Sequence, residues 1–209
     1  MDSSRTLAPK APNARTKLLE AARDIIRAQG YSATSVDDLC RAAGVTKGAF
    51  FHHFPSKEAL GVAAADYWSE TTSALFASAP YHAHADPLDR VLAYIDFRAA
   101  LLDGPVEGFT CLVGTMVQES YASSDTIRAA CEASISGHAA TLEADIAAAL
   151  ERYSVTGVEA ASLALHTQVV LQGAFILAKA RGGPEIARES AAHLKRYFVL
   201  LFNRTVKGD

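Results

Sequence analysis

The sequence predicts an all-α fold of about nine helices, for three reasons. Apolar residues recur at helical spacing almost from end to end of the 209-residue chain, and no useful length of sequence alternates as a strand does. Alanine is abundant, whereas the chain holds only 13 Gly and 7 Pro. Half of the residues are hydrophobic, which suffices for a core and argues against disorder.

Start and stop signals place these helices along the chain. Thr34 with Asp37, and Thr156 with Glu159, are spaced as capping boxes at the starts of two helices. Pro87 follows an aspartate, as is common in the first turn of a helix. The predicted helices are 16–29, 34–41, 46–54, 57–76, 87–103, 107–121, 125–152, 157–181 and 184–205.

The charge of the chain is unevenly distributed, although the total is only −3. Residues 1–57 hold nine Lys/Arg against five Asp/Glu, a net of +4, and the remainder holds eleven against eighteen, a net of −7. A positive head on an acidic body suits a protein that touches a polyanion at one end.

The second and third predicted helices form a helix-turn-helix pattern, because a turn containing Gly44 separates two short helices. Phe50 and Phe54, four residues apart, are predicted to face the core. Lys47 and Phe51 fall on the opposite face of the same helix. Since the second helix of such a motif enters the major groove, this face is predicted to contact DNA.

The segment TKLLEAARDIIRAQGYSATSVDDLCRAAGVTKGAFFHHFPSKEAL, residues 16–60, resembles the DNA-binding domain of tetracycline-repressor-type (TetR family) regulators. The A-x-x-x-I-x-x-x-G-Y opening, TSV-x-D-L, AGVTKG, the aromatic FHHF cluster and SKEAL occur in order. Where many members carry Tyr, this chain has Phe51, so a hydroxyl that reaches a phosphate is absent. The predicted DNA contacts, assisted by a basic arm around Lys10 and Arg15, are Thr34, Ser35, Thr46, Lys47, Gly48, Ala49, Phe51, His52 and Lys57.

The composition of the N-terminus predicts a flexible basic arm over residues 1–14, followed by the helix-turn-helix domain over 15–60. The resemblance implies a helical ligand-binding and dimerisation domain over 61–209. The last two predicted helices carry apolar stripes that suit a four-helix bundle across a two-fold axis. Such a homodimer would hold two heads about one DNA turn apart; the alternative is that both stripes are intramolecular core. The stripes are Leu165, Val169, Gly173 and Ile176, then Ala187, Ala191, Leu194, Phe198 and Leu201.

Polar and aromatic residues within otherwise apolar helices are the candidates for an effector pocket. As a set they suggest a ligand of modest size with polar or anionic character, and each one alone could equally be a satisfied core group. The candidates are Trp68, Tyr94, Phe97, Cys111, Met116, Gln118, Glu119, His138, His166, Gln172 and Phe175.

The segment EGFTCLVGTMVQE, residues 107–119, also resembles a Gly-x-x-Cys-Leu-x-Gly-type segment of family members that sense reactive or small carbonyl compounds. Two interpretations of Cys111 stay open. It is either a sensor thiol activated by a helix N-terminus or a buried small hydrophobe.

Several classes of function lack their motifs. There is no Gly-rich phosphate loop, nucleophile elbow or paired metal-ligand motif, so we expect neither an enzyme nor a bound cofactor or metal. The three widely spaced cysteines fit a reduced cytoplasm, and neither a secretory signal nor a membrane span is expected. A loop site at His82, His84 and Asp86 is a weak metal alternative.

The sequence thus predicts a cytoplasmic, homodimeric, ligand-responsive transcriptional regulator: a repressor that a small-molecule effector releases from a palindromic operator by tilting the fourth helix. The alternative is a redox or electrophile sensor that acts through Cys111. A sequence-indifferent DNA-binding protein is a third class, and the acidic body argues against it.

Overall fold

A computed structural model describes residues 13–203, which form eleven α-helices and one 3-10 helix without any strand. The all-α prediction is confirmed. The helices are α1 (Ala14–Gln29), α2 (Val36–Ala43), α3 (Lys47–His53), α4 (Lys57–Ala77), a 3-10 helix (Pro80–Ala83), α5 (Pro87–Ala100), α6 (Val106–Phe109), α7 (Leu112–Ser120), α8 (Asp125–Ala140), α9 (Glu143–Arg152), α10 (Ala160–Arg181) and α11 (Glu185–Leu201).

Two helices predicted as continuous are each broken. Thr110 and Cys111 are extended, and the Cys111 sulfur accepts a hydrogen bond from the Gly114 N–H, so α7 begins anew after α6. Between α8 and α9, the Thr141 hydroxyl donates to the His138 carbonyl at 2.7 Å and the backbone tightens into i to i−3 bonds. A side-chain hydroxyl that bonds to a backbone carbonyl in this way competes with the helix, and the sequence alone gives little indication of it.

Two predicted helix starts are also displaced. Ser35 with Asp38, and not Thr34 with Asp37, forms the capping box of α2, because the Thr34 hydroxyl is buried and donates to the Gly30 carbonyl. The box predicted at Thr156 is absent: α10 begins at Ala160, since Gly157 has a φ of +82°, which a helix does not allow.

The N-terminal helices share their apolar core with the body of the protein. Phe50 and Leu39 are fully buried in a cluster that also includes Leu112 and Met116 of α7 and Ile127 of α8. A second cluster joins α5, α9, α10 and α11. We name α1–α3 with the start of α4 the head. Because α7 contributes to the core beneath the head, a displacement of α7 acts directly on the packing of α1–α4.

The two apolar stripes of the last helices differ in exposure. Ala187, Ala191, Leu194 and Phe198 are buried within the second cluster, so the prediction of that stripe as a dimer surface is corrected. The α10 stripe is exposed instead, at Leu165, Val169 and Ile176, and α11 adds Tyr197 and Leu200. Helix α10 is long and apolar enough to cross a membrane by length and composition alone, with 39% of its most apolar window buried.

Candidate nucleic-acid interface and effector cleft

Helix α3 presents one face to the core and the other to solvent. Thr46 caps its start by accepting from the Ala49 N–H at 3.1 Å. Phe50 is 0% exposed and Phe54 is 3% exposed, whereas Phe51 is 54% exposed. Gly44, with φ +63°, allows the turn from α2 into α3. The sequence pattern therefore placed each phenylalanine on its observed side.

The exposed face of α3 offers a cation and an approachable backbone. Lys47 forms an exposed ion pair with Asp37 at 2.7 Å, and this carboxylate raises the pKa of the lysine. Beside Gly48, the position of a side chain meets nothing closer than the Thr46 hydroxyl, so the backbone is open to a partner. His52 is exposed on the same helix.

Two residues predicted to contact DNA, Thr34 and Lys57, instead form hydrogen bonds to backbone carbonyls within the head. Thr34 is 1% exposed, and its hydroxyl donates to the Gly30 carbonyl at 2.6 Å. The Lys57 ammonium donates to the carbonyls of Tyr31 and Thr34, both at 2.9 Å, and lies 4.4 Å from the centre of the Tyr31 ring. Lys57 therefore joins the start of α4 to the loop before α2.

Two adjoining clefts lie between α4, α7, α8 and α10, and Cys111 and Gln172 line both. The larger is bounded by aromatic and polar groups, and the smaller lies between α7 and the end of α10. We name them together the effector cleft. Six of the predicted ligand residues line it: Trp68, Cys111, Gln118, His138, Gln172 and Phe175.

A hydrogen-bonded network fixes the state of His138 on the cleft wall. Its Nε2 lies 2.9 Å from the Tyr94 hydroxyl and 3.3 Å from Nη1 of Arg98. Because a guanidinium can only donate, Nε2 accepts and the proton of the neutral ring is on Nδ1. Burial, followed by the charge of Arg98, lowers the pKa of His138 to about 4. His138 is thus a neutral N–H donor at neutral pH.

The other predicted ligand residues lie elsewhere. Tyr94 is fully buried behind His138, and Phe97 packs edge-on against the Phe76 ring behind it. Met116 is fully buried beneath the head, because α7 turns it towards α4. Glu119 accepts from the Ser32 N–H at 2.7 Å. The remaining one, His166, lies against Tyr197 in a separate surface cleft near the start of α10.

Further residues outside the predicted set line this region, among them Lys179, Thr115 and Thr110. Lys179 lines the smaller cleft, and its ammonium donates to the Thr115 hydroxyl at 2.7 Å. Thr110 lines it as well. The sequence does indicate Lys179, because Lys179 follows Gln172 by seven residues on one helix, so the two side chains lie on the same face. The extended conformation of Thr110 had no comparable signal.

The weak metal alternative near the 3-10 helix has no support. Asp86 caps α5 and accepts a hydrogen bond from the Tyr153 hydroxyl, and His82 bonds the Phe76 carbonyl at 3.0 Å. Within residues 13–203, no group of three or more His, Cys, Asp or Glu side chains is arranged to hold a metal ion.

A helix-turn-helix head carried by an all-helical body is the arrangement of a class of bacterial transcription regulators. The chain belongs to the tetR family of bacterial regulatory proteins, whose N-terminal model matches residues 18–64. The model described as the C-terminal domain of LmrA/YxaF-like transcriptional regulators matches residues 87–193. Members of this family bind DNA operators and function as dimers.

The relatives are regulators by name. The transcriptional regulator AcuR of Cereibacter sphaeroides is 34% identical over 125 residues, which are 59% of this chain and 56% of that protein. The transcriptional repressor DhaR of Mycobacterium sp. is 32% identical over 114 residues, 54% and 56% of the two chains. The chain thus aligns with a little over half the length of these relatives.

Solved structures share the fold over most of the chain. The reduced form of NemR from Escherichia coli superposes with a TM-score of 0.74 at 25% identity, covering 88% of this chain and 96% of that one. A TetR regulatory protein from Rhodobacter sphaeroides gives 0.75 at 24% identity, covering 88% and 98%. At 24% identity, the second likeness shows the fold alone.

Proposed function

We propose that the protein is a cytoplasmic, homodimeric repressor that a small-molecule effector releases from a palindromic operator. One observation carries this proposal: α4 and α7 each line the effector cleft and each bond to the helix-turn-helix head. A ligand in the cleft therefore acts on the same two helices that position the reading surface.

Helix α4 is the first of these connections. Trp68 and Thr72 on α4 line the larger cleft, and Lys57 at its start holds the carbonyls of Tyr31 and Thr34. A tilt of α4 about the cleft moves α2 and α3 with it. The coupling expected between two such sites is typically about 1–3 kcal/mol.

Helix α7 is the second connection. Cys111 begins it at the cleft, and Glu119 in its last turn accepts from the Ser32 N–H in the loop between α1 and α2. The Glu119 carboxylate also lies against Gly30, where a side chain would collide with it. Arg27 of α1 adds a hydrogen bond to the Gly108 carbonyl at 3.1 Å and stacks over Trp68.

The exposed apolar surface of α10 and α11 supports the homodimer. Val169 is 63% exposed and Leu200 is 75% exposed, and Leu165, Ile176 and Tyr197 are also exposed. We name these five residues the α10–α11 face. A second copy related by a two-fold axis would cover it and fix the separation of the two heads.

Lys47→Ala tests the reading surface. Without this cation on each α3, we expect operator affinity to fall about tenfold or more at low salt, and the salt dependence of binding to become shallower. Fluorescence anisotropy with a labelled operator duplex at two salt concentrations measures both effects. The dimer, measured by mass photometry, should remain intact.

Lys195→Ala is the matched control, because Lys195 is also exposed and paired with an aspartate, at 2.8 Å from Asp96, but lies on α11. Its operator affinity should equal that of the unaltered chain. If the Lys47 and Lys195 variants bind equally well, α3 does not present the reading surface that we propose.

A second candidate is a thiol-based sensor of electrophiles or oxidants that uses the same head, and the position of Cys111 favours it. Cys111 is half-buried and lines both clefts at the start of α7, where Lys179 lines the smaller one. Burial raises the pKa of Cys131 to about 12 and also raises that of Cys40. The similar NemR structure is described as a reduced form.

Alkylation by N-ethylmaleimide separates this candidate from reversible binding alone. The Cys111 sulfur adds to the maleimide double bond, and the neighbouring carbon takes a proton. We expect operator affinity to fall in the unaltered chain and to persist in Cys111→Ser, with the modified residue located by mass spectrometry. Unchanged operator binding by protein alkylated at Cys111 would remove the sensor candidate.

A further inference from the structure

The smaller cleft contains a cation that forms no ion pair within the described part of the chain. The stem of Lys179 is exposed, but its ammonium turns inward to the hydroxyl of the buried Thr115 at 2.7 Å. No carboxylate among residues 13–203 lies within ion-pair distance of this ammonium. The residues that line the two clefts include no Asp or Glu. Lys179 is therefore the one charged side chain among the residues that line the two clefts.

The same cleft contains an unpartnered polar atom. Thr110 is 0% exposed and lines the smaller cleft, and its hydroxyl has no hydrogen-bond partner among the described residues. An unsatisfied buried hydroxyl costs stability, so its retention points to a partner that arrives with a ligand. A lysine and a hydroxyl donor beside one cleft suit an anionic oxygen acceptor.

The adjoining larger cleft suits the rest of such a molecule. It is lined by the Trp68 ring, the Ile135 side chain and the neutral imidazole of His138. Gln172 separates the two clefts, and its carboxamide lies against Gly114, where the missing side chain leaves it room. A rotation of this flexible side chain would join the clefts into one site.

We propose that the effector is a small organic carboxylate, whose carboxylate binds Lys179 and Thr110 in the smaller cleft while its body extends past Gln172 towards Trp68. This inference rests on the proposed function for its biological role, but the site itself needs no DNA. Burial lowers the pKa of Lys179, and the negative charge of the nearby Glu119 opposes part of this shift.

The test uses the fluorescence of Trp68, the single tryptophan of the chain, in the full-length protein without DNA. The probes are matched acids and amides: butyrate with butyramide and benzoate with benzamide. We expect at least one acid to bind about tenfold more tightly than its amide, because only the acid pairs with Lys179. If neither acid binds more tightly than its amide at millimolar concentrations, the proposal is wrong.

Two substitutions locate the carboxylate. Lys179→Met should weaken acid binding about tenfold without changing amide binding, and Lys179→Arg should retain the preference for the acid. Thr110→Val removes the unpartnered hydroxyl at constant shape, so it should leave the melting temperature equal or higher while acid binding weakens. Lys195→Met is the control for removal of a lysine elsewhere.

The outcomes distinguish this site from the repressor function. Acid binding that is unchanged in the Lys179→Met variant would overturn the site, whatever the protein does on DNA. Acid binding that depends on Lys179 but does not alter operator affinity would leave the site standing and contradict its role as the effector site. Specific operator binding without any preference for acids would leave the repressor standing alone.

Discussion

Val169→Glu is expected to convert the protein to monomers and to abolish operator binding at concentrations where the unaltered chain binds fully. Val169 belongs to the α10–α11 face and is 63% exposed. Across a two-fold axis this carboxylate approaches its own copy or becomes buried without a partner, and either result is strongly unfavourable. A monomer can bind only one half-site of the operator at a time, so operator affinity should fall by a factor on the order of 100 to 10,000. Mass photometry and anisotropy measure the two effects.

Leu75→Glu is the matched control for this substitution. Leu75 is 45% exposed on α4, outside the α10–α11 face, so it introduces the same charge at an exposed apolar position. Its dimerisation and operator binding should be unchanged. A Val169→Glu variant that remains dimeric would show that the two copies meet through another surface.

Phe50→Ala is expected to destabilise the head by about 3–5 kcal/mol, which is the range for truncation of a fully buried phenylalanine. Phe50 is 0% exposed and meets the rings of Phe51 and Phe54 at centroid distances of 5.1 and 5.9 Å. Its loss leaves a cavity beneath the reading helix, so operator binding should fail along with stability. Urea denaturation measures the free energy of unfolding.

Phe51→Ala should lower operator affinity with little effect on stability, although Phe51 is the neighbour of Phe50. Phe51 is 54% exposed, so its truncation should change the free energy of unfolding by no more than about 0.5 kcal/mol. Operator affinity should nevertheless fall, since we propose that this ring contacts DNA. Equal destabilisation by both substitutions would contradict the division of the α3 faces.

Most of the head could be predicted from sequence because its signals are local. Thr46 and Ser56 cap α3 and α4, within one residue of the helix starts predicted at 46 and 57, since a capping hydroxyl needs only a backbone N–H three residues away. The prediction that Thr34 caps α2 was wrong, because the Thr34 hydroxyl turns inward and donates to the Gly30 carbonyl. A pattern of residue types does not encode which of two adjacent hydroxyls turns outward.

The effector cleft was only partly predictable because it depends on contacts between distant segments. The sequence pattern selected Trp68 and Gln172, which line the cleft, together with Met116, which is fully buried in the core. The break at Thr110 and Cys111 places both residues in the cleft, and cysteine is not a favoured cap. Lys179 lies in the cleft because its end of α10 packs beside α7, where its ammonium reaches the Thr115 hydroxyl.

The central claim is that the head reads one palindromic sequence as part of a dimer. The most direct measurement is protection of DNA from upstream of the protein's own gene, with excess random duplex as competitor, at two salt concentrations. We predict one discrete protected palindrome that survives the competitor at both salt concentrations. Binding that is lost equally on all sequences, and falls steeply with salt, would contradict the claim and leave only non-specific attraction to phosphate.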